Sequence, residues 1–280
     1  MYHFQKLPDF NHHQSRNIGQ DRPMASVSIV TIVKNNTDGL ARTLNSAIAQ
    51  DFSDWELIIV YGQSEDSTYE VASQFCNLDS RISLYEQSDH GIYEAMNLGI
   101  MKSNADFLWF MNSGDQFYST KALRSGFDAI VDSNYGFVVG GYKIENDERV
   151  FQQSSGEISQ IKFALSRRGA CHQAMVFRKN SVLKAGSFDI SFRLAADHKL
   201  CLEVIKDRGA LKISEILAMM EPDGLSDKNL ICMHQEKALI RSEIFANNPA
   251  AKALGWCWMK SARLKSKLRL IRNGKKHPFG

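Results

Sequence analysis

The sequence predicts an α/β fold, with a mostly parallel central sheet and helices on both faces. Short β-branched or apolar runs alternate with helix-period segments from Val27 to Met111, and they do so at βαβ spacing. No Pro- or Gly-rich linker divides this stretch from the second half of the chain. A chain of 280 residues has room for one large domain of this class or two small ones. The expectation is one domain over 24–255 with two lobes, 24–118 and 119–255, flanked by residues 1–23 and 256–280.

Taken in order, residues 1–23 are polar and aperiodic and contain His3, His12 and His13. They read as a disordered extension, with metal binding by the histidines as the alternative. Val27–Val33 is β-branched almost throughout and predicts a strand. The turn residues 35–39 then lead into a helix carrying Leu40, Leu44, Ala47 and Ile48. Trp55–Val60 predicts a second strand, Glu65 to Thr68 a helix start, and Arg81–Tyr85 a third strand. A third helix is predicted over Ile92–Met101, with Ile92, Met96, Gly99 and Ile100 on one face, and a fourth strand over Phe107–Met111. Beyond Asp115 the pattern is less regular. It predicts helices near Lys121–Val131, Asp197–Asp207 and Asp227–Ala246, and strands near Phe137–Ile144, Ala174–Phe177 and Leu211–Met219.

Composition narrows the class. The five cysteines are odd in number and form no CxxC pair, which reads as free thiols in a reducing compartment. No apolar run reaches the roughly 18 to 20 residues of a membrane span, and the N-terminus shows no signal-peptide core. Residues 256–280 contain eight Lys and Arg and no acid, so removing them from the net charge of +3 leaves −5 for the rest. Leu264, Leu268 and Ile271 share a helical face behind Trp256 and Trp258. This is the profile of an interfacial helix on an anionic membrane surface. The alternative is a solvated basic terminus, and no specific nucleic-acid partner is expected.

The segment Asp106 to Asp115 carries the most chemistry. Its apolar run is too short for a buried helix and ends in Asn112-Ser113-Gly114-Asp115, as a parallel strand would on delivering a carboxylate to the sheet's carboxyl edge. A carboxylate there suits a hard divalent cation holding a phosphorylated ligand; the plainer reading is an Asx-type turn. The first strand runs into Lys34-Asn35-Asn36-Thr37-Asp38 and lacks the glycine cradle of dinucleotide-binding folds, and no P-loop is present.

Several segments in order resemble family 2 glycosyltransferases of bacterial colanic-acid and exopolysaccharide type. These are Trp55 to Thr68, Asp89 to Ile100, Asn112 to Asp115, Cys171-His172-Gln173-Ala174 and Ala195-Ala196-Asp197-His198. The resemblance covers some 200 residues from Ser26 to about Ser226. It implies a GT-A nucleotide-binding sandwich that moves a sugar, usually with inversion, from a nucleotide-sugar donor to a glycan or lipid-linked glycan acceptor. It also implies Mg²⁺ or Mn²⁺ as cofactor and a place on the cytoplasmic face of the cell membrane in surface polysaccharide synthesis.

Carried onto this chain, the resemblance makes Asp115 the metal residue and Asp197 the general base. A helix-start carboxylate favouring the helix dipole is the alternative for Asp197. Tyr61, Asp66, Gly91, Asn97 and Ser113 fall in the donor pocket, and His172 and Gln173 in the acceptor region. Relatives commonly place at position 61 an Asp that reads the nucleotide base; Tyr61 either stacks on a base or packs at the strand end. Asp66 either contacts the donor or caps a helix. Gly91 and Asn97 shape the pocket or serve a helix terminus. His198 is expected as a surface neighbour, and Gly224-Leu225-Ser226 as a loop near the acceptor. Two rivals stand beside this reading. A nucleotidyltransferase would want a Gly-rich loop after the first strand, whereas a non-catalytic GT-A-like subunit of a membrane assembly complex would tolerate Tyr61 and a single-acid metal motif.

Overall fold

The computed structural model describes residues 25–88, 91–147, 149–152, 154–166, 171–222, 224 and 229–246. The extension 1–23, the tail 256–280, Asp89, His90, Leu225 and Ser226 lie outside the described residues.

Three βα steps and a fourth strand come first. They are β1 (Val27–Val33), α1 (Thr37–Ile48), β2 (Trp55–Gly62), α2 (Thr68–Leu78), β3 (Ile82–Gln87), α3 (Ile92–Lys102) and β4 (Phe107–Phe110). Next come β5 (Gln116–Phe117), α4 (Ala122–Val131), β6 (Phe137–Ile144), β7 (Val150–Phe151), β8 (Gly156–Glu157) and α5 (Gln160–Leu165). A 3-10 turn (His172–Ala174), β9 (Met175–Arg178), α6 (Lys179–Lys184), α7 (Ala196–Arg208), β10 (Ala210–Met220) and α8 (Leu230–Ile244) complete the order.

The strands form one sheet in the order β3-β2-β1-β4-β9-β6-β10-β5, with β7 added to β6 and β8 to β10. β1, β2, β3 and β4 are mutually parallel, as are β6 and β10; β9 runs antiparallel between β4 and β6. The sheet is therefore continuous across residues 118 and 119.

Alternation along β1 divides the core. Ile29 and Val33 join Leu40 and Leu44 of α1, Ala72 of α2 and Leu123 of α4 on one face. Val30 joins Met96 of α3, Phe163 of α5, Val182 of α6, Leu200 of α7 and Ile240 of α8 on the other. Helices thus cover both faces, which is why β2 reads as an apolar run from Leu57 to Tyr61. Each fully buried Leu, Ile or Phe adds about 1.5–3 kcal/mol to this core.

The chain winds from β1 out to β3 and returns to β4 on the other side of β1. That reversal opens a crevice at the carboxyl ends of β1 and β4, where open α/β sheets hold ligands. One expectation is corrected. His198 is 3% exposed, not a surface neighbour, because α7 is covered by α5 and α8.

Candidate active site

The crevice is floored by the turn after β4. Met111 N donates to Val30 O and Ser113 N to Ile32 O, so the chain follows β1 until Asp115 N closes the turn on Asn112 O at 3.0 Å. Gly114 adopts φ +101°, a conformation that favours glycine. Thr43 of α1 grips the turn, donating its hydroxyl to Asp115 O at 2.7 Å and accepting from Gly114 N at 3.0 Å.

These contacts leave the Asp115 carboxylate 6% exposed between two elements. Oδ1 accepts from Glu221 N at 3.0 Å and Oδ2 from Gln173 Nε2 at 2.7 Å. Burial pushes its pKa up to about 6, against the hydrogen bonds from Glu221 and Gln173 that favour the charged form. A cation relieves that burial penalty, so the position fits one. Asn112 Oδ1, in the same turn, is buried without a hydrogen-bond partner. No cluster of three or more His, Cys, Asp or Glu gathers among the described residues, so donor oxygens and water would fill the rest of a Mg²⁺ or Mn²⁺ shell.

The second carboxylate, Asp197, stands in the first turn of α7 with its side chain 24% exposed. Tyr93 Oη donates to Oδ1 at 3.2 Å, and His172 Nδ1 faces Oδ2 at 3.4 Å. Burial works against its ionisation. The His172 hydrogen bond outweighs this together with the charges of His172, Lys237 and His198, and the pKa is held at about 2. His172 Nε2 lies 3.3 Å from Asn112 Nδ2, so the ring spans from the Asp115 turn to Asp197.

The 3-10 turn therefore bridges the two carboxylates, His172 to Asp197 and Gln173 to Asp115. Trp109 Nε1 fixes it by donating to Gln173 O at 2.8 Å.

Of the residues expected in the donor pocket, Ser113 and Asp66 connect to the Asp115 turn. Ser113 Oγ donates to Asn36 O at 3.4 Å, and Asn36 Nδ2 donates to Ser113 O at 3.4 Å. Asn36 N reaches Thr68 Oγ1, which donates to Asp66 Oδ1 at 2.5 Å, so Asp66 is tied to the motif through two side chains. Asp66 also accepts from Thr68 N and Thr37 N, a helix-start role. Tyr61 is 6% exposed, meets Tyr69 edge-on, and its hydroxyl accepts from Ser64 N at 2.9 Å. In this structure it packs at the strand end.

Gly91 precedes α3 with φ +123°. Asn97 spends both ends of its amide on Phe188, donating to its O at 2.8 Å and accepting from its N at 2.9 Å. It lines a separate cleft of about 490 Å³ beside Lys199 and Glu203. Its link to Asp197 is indirect, because Phe188 stacks on Tyr93. Gly224 is described and exposed, without its two loop neighbours.

Arg42, Thr43, Tyr93 and Glu221 were not expected at the site. Tyr93 lies inside the Asp89 to Ile100 segment, which is the one sequence signal for any of them. Arg42 and Glu221 pair at 2.5 Å across 179 residues, a separation that leaves no local trace.

Residues 28–190 match the family described as Glycosyl transferase family 2. An uncharacterised glycosyltransferase of Mycobacterium tuberculosis is 31% identical over 184 residues, 63% of this chain and 68% of that protein. A PGL/p-HBAD biosynthesis glycosyltransferase of Mycobacterium bovis is 28% identical over 176 residues, 62% and 67% of the two chains. Among solved structures, S. aureus TarS 1-349 in complex with UDP-GlcNAc superposes with a TM-score of 0.63 at 14% identity, covering 78% of this chain and 66% of that one, just short of two thirds. The mannosyltransferase PcManGT from Pyrobaculum calidifontis, in complex with GDP-Man and Mn²⁺, gives 0.60 at 12% identity, covering 90% and 80%. At these identities the structural likeness carries the fold alone.

Proposed function

The chain belongs to the family 2 glycosyltransferases, and we propose that it is an inverting, metal-dependent enzyme of bacterial surface polysaccharide synthesis. It transfers a sugar from a nucleotide-sugar donor to a hydroxyl of a glycan, lipid-linked at the cytoplasmic face of the membrane. The observation that carries this reading is the 3-10 turn whose adjacent residues hold one carboxylate each. Transfer with inversion needs two such poles. One stabilises the departing diphosphate and the other takes a proton on the opposite side of the anomeric carbon.

Asp115, with Mg²⁺ or Mn²⁺, serves the leaving group. Bound there, the cation supplies positive charge to the diphosphate oxygens. Asp197 serves the acceptor. The acceptor oxygen bonds to the anomeric carbon, its proton passes to Asp197, and the carbon–oxygen bond to the diphosphate breaks with its electron pair leaving on the diphosphate. A carboxylate held at about 2 is charged throughout the working range. It accepts the proton once bonding has acidified the hydroxyl. His172 and Tyr93 keep that carboxylate oriented. Asp66, Ser113 and the Gly91 turn frame the nucleotide side, with Tyr61 bracing it, whereas Asn97 supports the Asp197 side through Phe188 and Tyr93.

The membrane location rests on the basic amphipathic sequence of 256–280; no helix of the described residues is long and apolar enough to cross a membrane. The donor reading has support from relatives solved with UDP-GlcNAc and GDP-Man.

Thermal melting with UDP, GDP and CMP, each with and without Mn²⁺, tests the proposal, since a ligand of the folded state raises the midpoint. One nucleotide is expected to shift the midpoint only with Mn²⁺, and Asp115→Ala to abolish that shift. No shift with any nucleotide would favour a non-catalytic subunit.

A further inference from the structure

Helix α8 carries a carboxylate that the transfer chemistry does not use directly. Glu236 Oε1 accepts from Arg193 N at 3.0 Å, and Oε2 accepts from Leu194 N and Ala195 N, both at 2.9 Å. These amides are consecutive and lead directly into α7, whose first turn holds Asp197. Ala195 stands at the N-cap of α7 and offers no capping side chain. A Ser, Thr, Asp or Asn is usual there, because the first amides of a helix otherwise lack partners. Here a carboxylate from a helix 41 residues further on grips the three amides just ahead of the helix.

Anchoring α8 does not require this contact. Ile240 and Phe245 already bury it in the core beside Leu200 and Val204 of α7. The neighbouring Lys237 is 3% exposed and its charge bears on Asp197. Two adjacent residues of α8 thus converge on the base, one through the backbone and one through the field. Both lie beyond residue 190, where the family match ends.

We propose that Glu236 is a positioning residue of the transfer reaction: by holding Arg193 to Ala195 it sets the entry into α7 and so the aim of the Asp197 carboxylate. The inference rests on Asp197 being the base. The direction of a first-turn side chain follows the path of the backbone before it, and a misplacement of about 1 Å at a reacting group costs on the order of a hundredfold in rate.

Glu236→Gln tests it, since glutamine keeps one acceptor and turns an NH₂ toward amide donors. Two quantities are read on the full chain. One is hydrogen exchange of the amides 193–195. The other is release of nucleoside diphosphate from UDP-GlcNAc or GDP-mannose with Mn²⁺, water acting as acceptor, resolved into kcat and KM. The expected result is exchange faster by at least tenfold at those amides, kcat lower by 10- to 100-fold, and donor KM within twofold of the parent.

Parent-level exchange, or faster exchange with unchanged kcat, overturns the proposal, as does a rise in KM that accounts for the whole loss. Asp197→Asn separates the two readings. If it keeps parent kcat the base assignment fails, whereas if it is inactive while Glu236→Gln is not, only the positioning role fails. Should Glu236→Gln not fold, Glu236→Asp, one methylene shorter, is expected to show the same split in weaker form, and parent kcat there overturns the proposal. If neither donor is turned over by the parent, the same split is read with a sugar donor of whichever nucleotide shifts the melting midpoint.

Discussion

At the residue scale, the two carboxylates show how neighbours set one chemistry apart from another. Asp115 and Asp197 start from the same intrinsic acidity, yet burial lifts one to about 6 while His172 helps hold the other at about 2. The Glu221 amide and the Gln173 side chain together offset the burial of a charged Asp115. Gln173→Leu should leave Oδ2 unpaired and lower the stability of the protein in chelator by about 1–3 kcal/mol, read from urea midpoints. An unchanged midpoint would mean that water replaces the amide. His198 poses the opposite case. It stacks on Phe163 with both ring nitrogens buried and without hydrogen-bond partners, and burial, with the charge of Lys237, pushes its pKa down to about 3.

At the element scale, the long elements formed where their sequence pattern said they would, and close packing fixes their spacing. α3 lies so near β1 that a Cβ on Gly99 would fall 2.3 Å from Val30 Cγ1. α4 presses on β4 in the same way, with Gly126 placing that position 2.5 Å from Trp109. Gly99→Ala and Gly126→Ala should each cost about 1–3 kcal/mol by overpacking, despite alanine's better helix propensity. Denaturant midpoints check this, and a stabilised Gly99→Ala would show that β1 can yield. The elements that went unforeseen are short. β5, β7 and β8 have two residues each, and α5 and α6 six. Segments of that length complete no hydrophobic period, so nothing in their composition announces them.

For the whole molecule, acid response is a sum over these sites. His198 has a folded pKa below its unfolded 6.5, so between about 6.5 and 3 the unfolded chain binds the extra proton and stability falls as pH falls. Asp115 has a folded pKa above its unfolded 3.8, so between about 6 and 3.8 the folded chain binds the extra proton and stability rises as pH falls. The two oppose each other across their shared window. In chelator, His198→Phe should therefore become more stable on going from pH 6 to pH 4, by up to about 1.4 kcal/mol per unit, while the parent stays nearly flat. A variant that follows the parent curve would refute the opposition. Below 3.8 the depressed Asp197 and Asp189 take over in both proteins, and their stabilisation is lost as pH falls through about 2.

The sequence by itself determined the α/β alternation, the bounds of the long strands and helices, and the candidacy of Asp115 and Asp197. Periodicity and β-branching are local properties, and the segment resemblances lie in contiguous residues. It also left Tyr61 open between stacking and packing, and expected His198 at the surface, because neither choice is settled by neighbours in the chain. Tertiary structure alone decided that the strand order reverses at β1 and β4 and that one turn ties both carboxylates together. Tertiary structure also decided that Arg42, Thr43, Tyr93, Glu221 and Glu236 belong to the same neighbourhood. Those contacts join residues tens to nearly two hundred positions apart, and only the folded sheet, with helices packed on both faces, brings such distant groups within hydrogen-bonding range.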